Sequence, residues 1–250
     1  METSGNNIHT KANSRLREIW RAHLAANSWP ELLPKLWPLQ YHTMEPDKLL
    51  FVGLNPSHDQ KDNDLMAIQV GHGSDPLPDE RALVVTRHDE ESMGLHGGKL
   101  HKYFRQFPRF GPDGTWNHID LLAVRLTSQE QMIEAMKLEE ETGRSSSFVR
   151  EQIDLAFSLM TELRPPVVVV VNAFGSCLVK KYLEKQNPEF AMDQETGFYW
   201  SAIGGQRVPT FFSGMVTGRR AIDNHSLERL IWHVRQALAY KVVPILNGTK

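Results

Sequence analysis

Five consecutive valines, Val167–Val171, stand between Pro165-Pro166 and Asn172. Branching at Cβ favours extended backbone, and an apolar run with no polar alternation suits only a strand covered on both faces, as in the middle of a parallel sheet. The proline pair stops any helix that precedes it. A second such run, Leu49–Val52, is halted by Gly53 and Pro56, which predicts another buried strand ending in a polar turn. Trp116–Val124 and Arg207–Phe212 read as further strands. Buried parallel strands need helices over them, so the chain is committed to the α/β class.

The intervening stretches supply those helices. Between Ser147 and Arg164, Val149, Ile153, Ala156, Met160 and Leu163 share one helical face, the mark of a helix packed on a sheet. A helix is expected after Asn172 to about Glu184, and Asn224 is expected to cap a long final helix with Leu227, Leu230, Ile231, Val234 and Leu238 inward. Near the amino terminus, Asn13 or Ser14 is a candidate cap for a helix bearing Leu16, Ile19, Trp20, His23 and Leu24, ending before Trp29-Pro30. The prolines from there to Pro46 favour an irregular connection. Gln60–Val70 reads as a short helix, Ala82–Thr86 as a strand, Asp89–Gly98 as a mobile polar loop, and Lys99–Phe107 as a short basic helix. Ser128 is expected to cap a helix to about Glu141, and Gly197–Gly205 to form an antiparallel hairpin before Arg207–Phe212, the last strand. Alternating helices and strands predict a three-layer α/β/α sandwich around a central, mainly parallel sheet. At 250 residues a single domain is expected, with a helical and Pro-rich extension over about residues 1–46.

A net charge of −2 gives no global attraction to nucleic acid, so any such contact must be local. Two local basic groups exist: Lys99, His101, Lys102, Arg105 and Arg109, and the pair Arg219-Arg220. A lone cysteine, Cys177, excludes an intrachain disulfide, a Cys-rich zinc site and an all-cysteine iron-sulfur cluster. No apolar run reaches membrane-spanning length and Met1–Thr10 is polar, from which a cytoplasmic location without a membrane partner is expected. Neither a dinucleotide or Walker loop nor a nucleophile elbow or metal-ligand spacing is present.

In parallel sheets ligands bind at the carboxyl edge, where the loops leaving several strands converge. That edge should collect Asn55-Pro56-Ser57-His58, Asn172-Ala173-Phe174-Gly175 and Ser213-Gly214-Met215, with Arg125 and Thr127 leaving a fourth strand.

Two of these turns carry a family resemblance. Gly53-Leu54-Asn55-Pro56-Ser57-His58 resembles the first motif of the uracil-DNA glycosylase superfamily, Gly-x-Asp/Asn-Pro followed by a small residue or Tyr. Ser213-Gly214-Met215 is similar to the Ser-Gly-Leu of the second motif, although Phe211-Phe212 replaces its His/Asn-Pro. The resemblance implies a uracil-DNA glycosylase-like fold and a monofunctional DNA glycosylase. Such a protein acts without metal or cofactor, as a monomer, on a nucleotide flipped from single- or double-stranded DNA.

By resemblance, Asn55 orients the attacking water, and His58 supports the turn or contacts phosphate. Gly53, Leu54, Ser57, Asp120 and Asn172 would form the base pocket. Ser213, Gly214 and the wedge residue Met215 would hold DNA, with Arg219 and Arg220 on its phosphates. Ser57 stands where uracil-specific members carry a Tyr that blocks the pyrimidine C5 position, so thymine-like or bulky 5-substituted pyrimidines should enter. Repair or defence against phage with modified DNA would both fit. Ala123 stands near the family's base-reading Asn, for which Asp120 or Asn117 would substitute. Phe211 removes a donor to the leaving base, for which Asn172 or His118 would compensate. The alternatives are a non-catalytic nucleic-acid or nucleotide-binding module of the same fold, or a hydrolase of small nucleoside-like substrates.

Overall fold

The valine run forms a strand in which every residue is buried. The computed structural model describes residues 4–24, 44–56, 77, 84, 87–88, 90–95, 97–125, 130, 148–239 and 243–244. The chain gathers into two compact units whose segments alternate along the sequence. The first is Met1–Thr43, Asn55–Gly97 and Asp120–Ala156, and the second is Met44–Leu54, Gly98–Ile119 and Phe157–Lys250.

The second unit holds the sheet, apart from Asp120 at the end of one strand. Its strands are β1 (Leu50–Gly53), β2 (Asn117–Asp120), β3 (Val168–Val170), β4 (Tyr199–Ile203), β5 (Gln206–Phe212) and β6 (Val243–Pro244). They lie in the order β2-β1-β3-β5-β4, with β6 paired to β5. β1, β3 and β5 run parallel, and Val52, Val170 and Phe212 stand in line across them. The α/β class and the mainly parallel sheet expected from the apolar runs are what the chain adopts.

β4 pairs antiparallel with β5, Ile203 opposite Gln206. Gly204 and Gly205 between them take φ of 57° and 74°, the left-handed pair that a two-residue hairpin turn needs and that glycine adopts without strain. The expected hairpin therefore shifts: Gly197–Gly205 supplies one strand and the turn, and β5 is its partner. β5 is also not last, since β6 follows and pairs with Gln206 and Arg207.

Of three further elements of this unit, one follows the sequence reading and two depart from it in part. α3 (Ala173–Gln186) begins as expected, with Asn172 Oδ1 accepting from Gly175 N at 2.9 Å. α4 (Asn224–Ala239) buries Leu227, Ile231, Val234 and Ala237, but its cap is Asp223. That carboxylate accepts from His225 N at 2.9 Å and from Ser226 N at 3.0 Å, the service an Asn one residue later was expected to give. Instead of an α-helix from Lys99 to Phe107, turns over residues 102–106 lead into a 3-10 helix, Phe107–Arg109. Phe104, Phe107 and Phe110 are all buried, and a three-residue spacing falls on one side of a 3-10 helix. Phe107 stacks on Phe51 of β1 with ring centroids 3.9 Å apart.

In the first unit, α1 (Ser4–Leu24) starts well before the expected cap at Asn13 or Ser14 and buries Ile8, Ala12, Leu16, Ile19 and Trp20. The apolar spacing simply continues upstream of Ser14, so the helix does too. α2 (Phe148–Leu163) spans the boundary between the units. Its Gln152 is 2% exposed; Gln152 Oε1 accepts from Ala123 N at 2.7 Å and Nε2 donates to Phe148 O at 3.3 Å. Beyond Ala156, in the second unit, Phe157 stacks on Tyr182 of α3 at 4.3 Å.

Val84, inside the expected strand Ala82–Thr86, is helical and 70% exposed. Glu90, inside the expected loop Asp89–Gly98, is helical and buried. The helix expected at Gln60–Val70 and the connection after Trp29 lie outside the described residues, as does all of Ser128–Glu141 except Glu130, which is helical.

Candidate active site at the carboxyl edge of the sheet

The register fixes which residues meet beyond the strands. Two positions past Val52, Val170 and Phe212 come Leu54, Asn172 and Gly214. Backbone bonds carry the alignment past the strand ends: Val171 N donates to Val52 O at 2.9 Å, and Ser213 N to Val170 O at 2.9 Å. Gly53 and Leu54 are buried there. Asn172 is half-buried, and its oxygen caps α3, which leaves the amide NH2 as the end able to donate. Ser176 Oγ donates to Ser213 O at 3.0 Å and fixes the loop leaving β5.

Asn55 follows Leu54 in the chain and belongs to the first unit. Its Nδ2 donates to Pro56 O at 3.0 Å and to Val124 O at 3.1 Å. An amide held by its nitrogen at two points has a set orientation, and its oxygen is the end of the group that accepts hydrogen bonds. Ser57 and His58, named from the motif, lie outside the described residues.

The loop after Ser213 closes on itself. Met215 bridges to Ala221, Ile222 N donates to Met215 O at 2.9 Å, and Thr217 Oγ1 donates to Tyr103 O at 3.1 Å. Gly218 turns it with φ of 88°, a conformation that side chains with a Cβ rarely take. Met215 is half-buried, and a Cβ placed on Gly218 would stand 3.7 Å from its Cε. Arg219 and Arg220 are exposed at the tip. In the other basic group, Arg109 is tied to Gln106 Oε1 at 2.6 Å and to Glu228, and its carbonyl accepts from Arg235.

Beside the Ser213-Gly214 turn, within the second unit, lies an open cleft of about 390 Å3. Phe211, Phe212, Ser213 and Gly214 form one wall, and Arg229 and His233 of α4 contribute to the other. These two were not singled out from the sequence. The signal was there in Ser226, Arg229 and His233, which recur at helical spacing beside the buried stripe of α4.

Several residues expected to read or hold a base are placed for other work. Asn117 is 1% exposed; Asn117 Oδ1 accepts from Glu45 N at 3.1 Å and Nδ2 donates to Glu45 O at 2.6 Å, so its amide is a backbone clamp. His118 is 2% exposed, with the rings of Tyr103, Phe104 and Phe107 packed around it. Those rings separate it from solvent, which removes it as the donor that replaces the family His. Asp120 is buried beside a void of about 10 Å3. Phe211 is 6% exposed with its ring against Phe198 at 5.4 Å.

Among the described residues, no helix is long and apolar enough to cross a membrane, and no cluster of His, Cys, Asp or Glu could hold a metal ion. No protein-family model and no curated protein matches the chain.

Proposed function

We propose that this chain is a monofunctional DNA glycosylase resembling the uracil-DNA glycosylase superfamily, acting in the cytoplasm on a modified pyrimidine, with a bulky 5-substituent as the leading case. The observation that carries the reading is the amide of Asn55, held by its nitrogen on Val124 O and Pro56 O directly after β1. A fixed carbonyl oxygen there orients a water for attack on the sugar carbon. The reaction adds that water to C1′ and breaks the bond from C1′ to the ring nitrogen. The electron pair leaves with the base, which takes up the proton the water loses. Asn is too weakly basic to remove that proton early, so turnover slower than with a carboxylate is expected.

Within the second unit, the Asn172 NH2 is the donor on offer to a base, and the Ser213-Gly214 turn is the contact on offer to the strand, with Arg219 and Arg220 for neighbouring phosphates. The test is a panel of oligonucleotides carrying uracil, thymine and bulky 5-substituted pyrimidines, single- and double-stranded. Release of free base and alkali-labile abasic sites is expected from the wild type, and loss of both in Asn55→Ala.

One observation favours a second reading, a binding module of the same fold. Phe211, where the family has a hydrogen-bonding residue, is packed against Phe198 and offers no donor to a departing base. Tight binding across the panel with no abasic site formed on any member would decide for it.

A further inference from the structure

The cleft beside α4 plays no part in the water-positioning argument, yet its chemistry is specific. Arg229 and His233 stand four residues apart on one helix face, opposite the Ser213-Gly214 turn. Neither makes an ion pair or a hydrogen bond among the described residues, and no carboxylate is in the lining. Three acidic groups of this unit are engaged elsewhere. Asp223 caps the helix, Glu228 pairs with Arg109, and Asp193 accepts from Glu195 N, Thr196 N and Trp200 Nε1. A cation, an imidazole and a half-buried turn thus face one space with no counter-charge among the described lining residues. Phe211 and the backbone of Phe212 line that space, and a volume of about 390 Å3 suits a ligand of nucleotide size.

We propose that this cleft binds a nucleotide, with Arg229 and His233 on its phosphate and the β5 side of the cleft, at Phe211, against its sugar and base. The ligand chemistry has two sources, a free nucleoside monophosphate or a nucleotide within a DNA strand. The proposal rests on the glycosylase reading only in sharing Ser213 and Gly214 with its DNA contacts. Binding here needs no base release.

Calorimetric titration with thymidine monophosphate, thymidine, inorganic phosphate and a 5′-phosphorylated oligothymidylate tests it. Thymidine monophosphate or the oligomer should bind, and Arg229→Ala should weaken that binding roughly tenfold or more, as expected for a lost charge-assisted hydrogen bond. His233→Ala should weaken it several-fold, and Lys181→Ala, an exposed change on α3, should not. The stronger of the two phosphorylated ligands identifies the source. Equal affinity of wild type and Arg229→Glu, no binding by either ligand, or inorganic phosphate binding as tightly as thymidine monophosphate would overturn the proposal. Nucleotide binding that persists while the oligonucleotide panel shows no base release removes the glycosylase reading alone; base release without this binding removes the cleft alone.

Discussion

The hydroxyl of Ser176 donates to the carbonyl of Ser213 at 3.0 Å, so the first turn of the helix leaving β3 holds the loop leaving β5. Both belong to the second unit, and the bond joins two of the turns that the parallel register brings together.

Ser176→Ala should therefore lower stability by about 1 kcal/mol, the net worth of one neutral hydrogen bond. It should also weaken oligonucleotide binding through the loosened Ser213-Gly214 turn. Urea unfolding curves, read at constant slope, check the first effect and titration with oligonucleotide the second. An unchanged midpoint would show that the bond contributes nothing to the fold.

Asn117 makes a stronger demand. Removing its amide in Asn117→Ala leaves the N–H and C=O of Glu45 without these partners and opens a gap in a strand whose residues are all buried. A loss of about 2–4 kcal/mol is expected, by far the largest among the candidate base-reading residues. Asn117→Asp should also destabilise, because a carboxylate oxygen would then face the Glu45 carbonyl. Chemical denaturation ranks the two against wild type.

The exposed carboxylates that organise turns set the acid limb of stability. Hydrogen bonds from the Thr115 side chain and backbone hold Asp113 down to about 2 from an ordinary 3.8, with Lys48 adding a smaller pull. Asp223 is lowered chiefly by the Ser226 hydroxyl and backbone. A depressed carboxyl stabilises fully above its unfolded value and loses that contribution as pH falls through the folded one. The loss tied to Asp113 should thus fall between about pH 4 and 2. Carboxyl-carbon NMR titration should give a midpoint near 2 for Asp113, and Thr115→Val should move it up towards 3.8.

Phe211→His returns a hydrogen-bond donor to the place where the resemblance implies one. If base departure limits the proposed reaction, the change should raise the single-turnover rate of base release by about tenfold or more, since one such donor contributes 10²–10³ in comparable sites (~3 kcal/mol). The same change trades a buried ring contact with Phe198 for a polar group, so a fall in stability of about 1–3 kcal/mol should accompany it. A rate that stays flat while stability falls would show that Phe211 does not occupy the leaving-base position.

The parts of this fold that are legible in the sequence are those set by local chemistry. Val167–Val171 can do little but form a strand buried on both faces, and its neighbours Pro165-Pro166 and Asn172 mark the helix end before it and the cap after it. What stays illegible depends on distant partners. Glu45 is 72 residues from Asn117, so an amide that looks like a base reader is a backbone clamp. Val84 carries strong strand propensity and is helical, because propensity yields to context outside a buried sheet. The stretch Lys99–Phe107 is not the helix its sequence suggests, because Phe104, Phe107 and Phe110 are buried at a 3-10 period. The ends of the apolar runs mark the turns of Asn172 and Ser213, which the parallel register aligns, whereas Arg229 and His233 line the cleft beside Ser213 only through the fold of α4.

The alternation of the two units along the chain bears on how the protein is made. Each is assembled from stretches separated by pieces of the other, and the second, which holds the sheet, cannot finish while the ribosome still holds Phe157 onward. Until β3 and β5 emerge, Leu50–Val52 has no parallel neighbour on that side and shows a bare apolar ridge. Shortened products ending before Val168 should collect in inclusion bodies.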